Sequence, residues 1–364
     1  MDKKKLVYIS MIASPHIVKF CAHLRKYYDA EFYFYDSLKG GQSFWNVELG
    51  EHCHVLATGF KWKCKYFTWS VIRVLRHEKP DIVMLGSFSV PANILAYWWA
   101  RRHGCKTIVF TERSRRIADG KLRTYSIGWR ILHFIYRNVN RIFVVSNDAV
   151  PQFRDSFNFG DKVKVCDYPA DIDSYFNHPL REIKEGYTII YPNRMTGIYN
   201  PIMAVEIFKK VLGRFPKTKM VVNAAGELRD NVEKKIRELG MIGSIQFLDN
   251  VKKWDDLGTV YRESDIMILP AAFSNGNYTL LECAVSGMAC IISDKVMGDN
   301  AKILGQSGGG FVLPVDIDMF ADKICWVIEH PEALKRMAEI NRKNFRSYTM
   351  AETAARYYAL IEED

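Results

Sequence analysis

The sequence predicts an α/β protein made of two doubly wound parallel sheets, and three observations carry that expectation. Short apolar runs alternate with amphipathic segments of three- and four-residue spacing, as strands joined by crossover helices do. The alternation pauses near residue 167 and restarts near residue 186. The chain has 364 residues, too many for one ordinary domain and suited to two of similar size. With 48% apolar and 25% charged residues it can bury full cores, which excludes a disordered chain.

In the first half "KLVYISM" reads as a strand and "SPHIVKFCAHLRKYY" as a helix, with Ser14 as N-cap and Pro15 at its first position. The strand "AEFYFYD" follows, then an irregular aromatic segment and a helix expected over 66–77. Next come the strand "DIVML", the helix "PANILAYWWARRHG", the strand "KTIVFTE", a further long helix and the strand "RIFVVS". The polar, turn-rich "DYPADIDSYFNHPLREIKEG" separates the halves. The second series runs "EGYTIIYPNR", "NPIMAVEIFKKVLGRFP", "TKMVVNAAG", "RDNVEKKIRELGM", "SIQFLD", "WDDLGTVYRESD", "IMILP" and "ACIISD", alternately strand and helix, apart from the loop and helix before the last strand. The tail from His330 is helical. This places the domains at 1–168 and 169–345. Two such sheets leave a cleft at the carboxyl ends of their strands, where ligands bind.

Several classes are excluded. The start "MDKKKLVYISMIAS" is too briefly apolar for a signal peptide and reads as a first buried strand. The uncharged stretch 82–100 is interrupted by Ser87, Ser89, Pro91 and Asn93, so strand, loop and helix fit it better than a membrane span. The eight cysteines form no CxxC pair and read as reduced thiols of a cytoplasmic protein. "HCH" at 52–54 has no second ligand cluster, so no metal is expected. "DID" at 171–173 and 316–318 reads as turn and N-cap chemistry, and "GQSGGG" lacks the G-K-S/T of a phosphate loop.

Residues 1–168 carry 27 Lys and Arg against 14 Asp and Glu, whereas the remainder carries 24 against 27. The first half therefore faces something anionic. The stretches 60–79 and 113–141 mix aromatic, aliphatic and basic residues. Two readings stand for them: helices lying in the plane of an anionic bilayer, or core-facing helices with a basic outer face. No helix-turn-helix, zinc or RNA-binding signature points to nucleic acid.

The stretch "SNGNYTLLECAVSGMACIISD", 274–294, holds the densest functional signal. Gly276 allows close backbone approach before a helix whose N-terminus favours an anion such as phosphate. Glu282, one to two turns further on, either accepts hydrogen bonds from a ribose diol or pairs with a nearby cation. "FTERSRR", 110–116, ends a parallel strand with Glu112 and Arg113 at its carboxyl end. There Glu112 can orient a sugar hydroxyl and Arg113 or Arg115 can meet phosphate. His16, at the start of the first helix, suits an acceptor-side contact and a packing role equally.

The segment "SDIMILPAAFSNGNYTLLECAVSGMACIISD" resembles the nucleotide-sugar-binding region of glycosyltransferase family 4, through Asp265, Pro270, Glu282, Ala284, Gly287 and Ser293. "YPNRMTGIYNPIMAVEIF" is similar to the family's G-R-x-x-x-x-K-G turn, "VVNAAGE" to its G-x-G turn, "IFVVSND" to the start of its last N-domain helix, and "YPADIDSYF" to its interdomain linker. The resemblance implies the GT-B fold, two Rossmann-like domains facing across a cleft, with a last helix (346–364) returning to the first domain. It implies a retaining glycosyltransferase that moves a sugar from a nucleotide diphosphate sugar to a glycan or lipid-linked acceptor in cell-surface polysaccharide synthesis. No cofactor and no metal are implied. Arg194 would neutralise the diphosphate, with Tyr199, Ser274, Asn275, Gly276, Asn277, Tyr278, Thr279 and Glu282 in the donor site. Glu112, Arg113 and Arg194 are the catalytic candidates. Two departures matter: Ser274 replaces the first glutamate of the E-x7-E motif, and Tyr199 replaces the lysine of the R-x4-K pair. They leave open a non-catalytic relative that binds a glycan or a protein partner, and, less favoured, an epimerase.

Overall fold

The computed structural model describes residues 3–37, 48–57, 59–62, 65–113, 127–179, 186–251, 253–275 and 278–363. The described residues divide into two compact units, those within 3–171 and 350–363 in one and those within 172–349 in the other.

In chain order the first unit contains β1 (Lys5–Ile12), α1 (Pro15–Leu24), β2 (Asp29–Asp36), β3 (Cys53–Val55), β4 (Phe60–Trp62), β5 (Lys65–Phe67), α2 (Ser70–Glu78), β6 (Ile82–Leu85), α3 (Pro91–Arg102), β7 (Lys106–Thr111), α4 (Ile127–Tyr136), β8 (Arg141–Val144) and β9 (Val163–Val165). Its main sheet is parallel, in the order β3-β2-β1-β6-β7-β8-β9. Alternate residues of each strand go to opposite faces. Val7, Ile9, Val83, Leu85 and Val109 enter the core under α2, α3 and α4. Leu6, Tyr8, Met84, Ile108 and Phe110 enter the core under α1 and the C-terminal helix. Ser14 caps α1 as expected, its hydroxyl accepting the Ile17 N–H at 3.4 Å. The helix expected from residue 66 begins instead at Ser70. Residues 65–67 pair antiparallel with Phe60–Trp62 in a hairpin, and the Thr68 hydroxyl accepts the Ser70 N–H at 3.1 Å.

The second unit contains β10 (Thr188–Tyr191), α5 (Pro201–Arg214), β11 (Lys219–Val222), α6 (Arg229–Glu238), β12 (Ile245–Phe247), α7 (Leu257–Glu263), β13 (Ile266–Leu269), β14 (Ser274–Asn275), α8 (Tyr278–Val285), β15 (Ala289–Ser293), β16 (Val296–Met297), α9 (Asp299–Ser307), β17 (Gly310–Leu313), α10 (Ile317–Glu329) and α11 (Pro331–Asn344). Its parallel sheet runs β12-β11-β10-β13-β15-β17. The final helix, α12 (Met350–Glu362), belongs to the first unit. There Tyr357 packs edge-on to Phe20 and Phe143. Glu362 takes the Lys4 ammonium at 2.5 Å and the Tyr28 hydroxyl at 2.8 Å. Burying Tyr357 and Ile361 stabilises this docking by about 1.5–3 kcal/mol per side chain.

Both sheets start at a central strand, grow to one side and then cross to the other. The direction reverses between β1 and β6 in the first unit and between β10 and β13 in the second. Ligands of doubly wound sheets bind at the carboxyl ends of the strands flanking such a reversal.

Candidate active site

In the second unit the loops leaving β10 and β13 are the two that flank the reversal, and they carry most of the donor residues read from the sequence. The β10 loop is held from below. The buried Tyr191 hydroxyl reaches the Tyr199 carbonyl at 3.1 Å and the Arg194 carbonyl at 3.4 Å. Burial, and then Tyr199, push the Tyr191 phenol well above its usual range, so it stays a donor. Met195, fully buried, gives its N–H to the Ala225 carbonyl at 2.7 Å and takes the Leu228 N–H at 2.9 Å. Gly226 makes that approach possible: its φ is +141°, and a Cβ there would stand 2.4 Å from the Met195 carbonyl oxygen. The turn ends on Asn200 at φ 51°, ψ 55°, a left-handed residue where the family pattern has glycine. Its side-chain amide donates to the Pro270 carbonyl at 2.8 Å, and the Ala272 N–H donates to the Ile198 carbonyl at 2.8 Å. The β10 and β13 loops are thus bonded directly to each other.

Arg194 stands exposed on this loop, and its side chain makes no hydrogen bond among the described residues. Tyr199 is half-buried. Two neighbours that the sequence reading did not single out are Asn193 and Thr196. The Asn193 side-chain oxygen and the Thr196 hydroxyl are buried and have no hydrogen-bond partner among the described residues. A buried polar atom left without a partner is costly and calls for one. The available signal was Asn193 itself, a polar residue at a position the family pattern gives to glycine.

On the β13 side much of the motif is scaffolding. The Asp265 carboxylate accepts the Thr188 N–H at 2.7 Å, the Ser293 hydroxyl donates to the Ala271 carbonyl at 2.6 Å, and Gly287 takes φ +100° in the turn before β15. Ser274 is buried and Asn275 half-buried, both in the short strand β14, which pairs with Val296 and Met297 of β16. Tyr278 and Thr279 open α8 half-exposed, while Gly276 and Asn277 lie outside the described residues. Glu282 is 2% exposed, and its carboxylate accepts the Tyr261 hydroxyl at 2.9 Å. Burial, followed by the Glu282 charge, keeps the Tyr261 phenol protonated as the donor of that bond.

The first unit places Glu112 and Arg113 just beyond β7, and Arg115 lies outside the described residues. The Tyr168 hydroxyl donates to Glu112. Arg113 is partly buried. Burial lowers its pKa, and the nearby Asp148 opposes that shift. His16 follows β1 at the reversal, but it is buried and its Nδ1 accepts the Asp171 N–H at 3.0 Å. Burial pushes its pKa down to about 3, against the pull of Asp171 and with help from Lys19.

A pH dependence follows. His16 has a folded pKa below its unfolded value, so the neutral ring contributes its full stability above about pH 6.5 and loses it as the pH falls towards about 3. Each pH unit in that window is expected to cost about 1.4 kcal/mol. Melting temperatures of wild type and His16→Asn from pH 7 to pH 4 should converge on acidification. Parallel curves would remove His16 as the cause.

The described cysteines are free and buried, and no group of His, Cys, Asp or Glu among the described residues has the arrangement of a metal site. No described helix is long and apolar enough to cross a membrane.

The fold and this site define a two-domain sugar-transfer enzyme. The family model for glycosyl transferases group 1 matches residues 176–344, and that for the glycosyl transferase 4-like domain matches residues 20–168. The chain belongs to the family 4-like glycosyltransferases of GT-B fold. Among curated proteins it is similar to a UDP-Gal:alpha-D-GlcNAc-diphosphoundecaprenol alpha-1,3-galactosyltransferase of Escherichia coli, 21% identical over 294 residues, 76% of this chain and 73% of the relative. Among solved structures it resembles a glycosyltransferase from Rickettsia africae ESF-5 (TM-score 0.72, 16% identity, 100% of both chains). It also resembles Anabaena Alr3699/HepE in complex with UDP and glucose (TM-score 0.74, 11% identity, 98% of both chains). At these identities the structural likeness speaks for the fold alone.

Proposed function

We propose that this nucleotide-sugar-dependent glycosyltransferase is a retaining, metal-independent hexosyltransferase acting on a glycan or lipid-linked acceptor. Its setting would be cell-surface polysaccharide synthesis at the cytoplasmic face of an anionic membrane. The observation that carries the reading is the loop pair at the β10–β13 reversal: an exposed Arg194 beside two buried polar atoms awaiting partners, next to the loop that leads into α8. The acceptor class is supported by the Escherichia coli relative, whose acceptor is a diphosphoundecaprenol-linked sugar.

In this mechanism Arg194 meets the diphosphate, whose negative charge grows as the bond to the sugar breaks. A preorganised guanidinium favours that state over the ground state. Asn193 and Thr196 take polar groups of the donor, and Glu282, fixed by Tyr261, takes the ribose. Ser274, Asn275, Tyr278 and Thr279 contact phosphate and sugar, with Gly276 and Asn277 completing the turn. Tyr199 supplies a neutral wall where a lysine would have stood. Glu112 orients a sugar hydroxyl and Arg113 meets phosphate, both from the first unit.

Thermal stabilisation by a panel of UDP, GDP, ADP, CMP and their sugar conjugates tests the reading, because a ligand that binds only the folded state raises its stability by mass action. One base should stand out, and its shift should vanish in Arg194→Ala. A flat panel would instead favour a non-catalytic relative that binds a glycan or protein partner. Tyr199 and Ser274 are the observations on that side.

A further inference from the structure

Helix α4 is apolar on both of its long faces. Trp129, Leu132, Ile135 and Tyr136 pack inward on the core of the first unit. Outward, Ile127, Ile131 and Phe134, at i, i+4 and i+7, are 77%, 53% and 61% exposed. An exposed apolar stripe of this kind, flanked by the exposed Arg130, is one that something covers.

The same layer offers a second apolar edge. α3 packs between α2 and α4, the latter through Tyr97 and Tyr136 with ring centroids 4.7 Å apart, and hairpin β4–β5 packs on α3. Phe60 and Trp62 on the hairpin and Trp69 before α2 are each more than half exposed. Scattered apolar side chains on a surface are ordinary, but a concentration of large ones on adjoining elements marks an interaction surface.

Charge selects the partner. The elements β4, β5, α2, α3 and α4 carry seven Lys and Arg, the exposed Arg130 of α4 among them, and one acid, Glu78. Glu78 does not offset the field outside, because it binds Lys5 at 2.9 Å and the Tyr33 hydroxyl at 2.7 Å. The Arg137 guanidinium lies over the Phe134 ring at 4.7 Å, so a cation accompanies the apolar stripe. A second copy of this chain would bring one basic face against another and be repelled. An anionic bilayer satisfies both features: aromatic and aliphatic side chains enter the headgroup–acyl boundary, while arginines snorkel to the lipid phosphates.

We infer that the outer surface of the α2–α3–α4 layer, with the β4–β5 hairpin, is a docking face for an anionic lipid bilayer. This deepens the membrane part of the proposed function and rests on none of its chemistry, since docking needs neither donor nor acceptor.

The test is sedimentation of the full chain with vesicles, without nucleotide. Vesicles of equal parts phosphatidylcholine and phosphatidylglycerol should retain the protein, and pure phosphatidylcholine should retain at least about tenfold less. Ile131→Glu with Phe134→Glu, and separately Arg130→Glu with Arg137→Glu, should each weaken binding at least about tenfold, with far-UV circular dichroism unchanged. Should those variants fail to fold, the wild type still decides. Fluorescence of the exposed Trp62 and Trp69 should be quenched by brominated acyl chains in anionic vesicles, and the quenching should diminish in Trp62→Phe. The inference is overturned by a wild type that stays in the supernatant of anionic vesicles, by folded variants that bind like wild type, or by a self-association that the substitutions abolish without any vesicle binding. Failure of the nucleotide panel with vesicle binding intact would defeat the transferase reading alone, and the reverse pattern would defeat docking alone.

Discussion

Arg194→Ala is expected to lower the transfer or donor-hydrolysis rate by about 10²–10³, with the melting temperature of the unliganded protein nearly unchanged. Stability should hold because the loop is kept in shape by other groups: the Tyr191 hydroxyl, the backbone of Met195 and the Asn200–Pro270 bond. The Arg194 side chain is exposed and makes no hydrogen bond among the described residues, so its removal leaves no buried orphan. The rate should fall because the family's second cation is a tyrosine here, which places more of the charge that develops on the diphosphate on this guanidinium. Arg194→Lys keeps the charge but loses the planar fork that matches two phosphate oxygens, so it should recover only part of the rate. Single-turnover rates with saturating donor separate the chemical step from donor binding. An alanine variant with an unchanged rate would mean that the diphosphate is neutralised elsewhere, and the role given to this loop would fall.

The structure also explains how far a sequence reading reaches. The parallel sheets were legible because strands such as 82–85 and 266–269 are fully buried on both faces and read as unbroken apolar runs. The order of the strands was not, since periodicity fixes an element and not its neighbour. The reversal between β10 and β13, which marks the site, therefore had to be seen. The 60–67 hairpin was missed because its strands are three residues long, too short for an alternation to stand out, and its aromatic residues suit a helix face as well. In the candidate site, Arg194 and Glu282 were legible through motif spacing. Thr196 was not, and Asn193 showed only as a departure from the family's glycine, because what distinguishes both is burial without a partner among the described residues, a property of three-dimensional packing. The hydrogen bond from Tyr261 to Glu282 spans 21 positions and joins two helices, so no local pattern could display it.

That hydrogen bond yields the second large expected effect. Glu282→Ala removes a buried carboxylate, leaves the Tyr261 hydroxyl without its acceptor and opens a small void. Together these should destabilise the protein by about 2–4 kcal/mol, so lost activity in this variant would not by itself reveal a ribose contact. Glu282→Gln is the informative change. The amide keeps the size of the side chain, and its carbonyl oxygen still accepts from Tyr261, whose phenol burial holds protonated well beyond its usual range. Stability should then fall by no more than about 1 kcal/mol, while a carboxylate that receives a ribose diol loses its charge-assisted bonds and donor KM should rise about 10- to 100-fold. Tyr261→Phe removes the hydroxyl that fixes the carboxylate and should raise donor KM a few-fold with little change in kcat, the pattern of a positioning residue. If Glu282→Gln kept both the nucleotide-induced thermal shift and donor KM at wild-type values, Glu282 would be a structural acid sealed under Tyr261. Ribose recognition would then pass to the polar groups of the β10 loop, where Asn193 and Thr196 already present buried atoms in need of a partner.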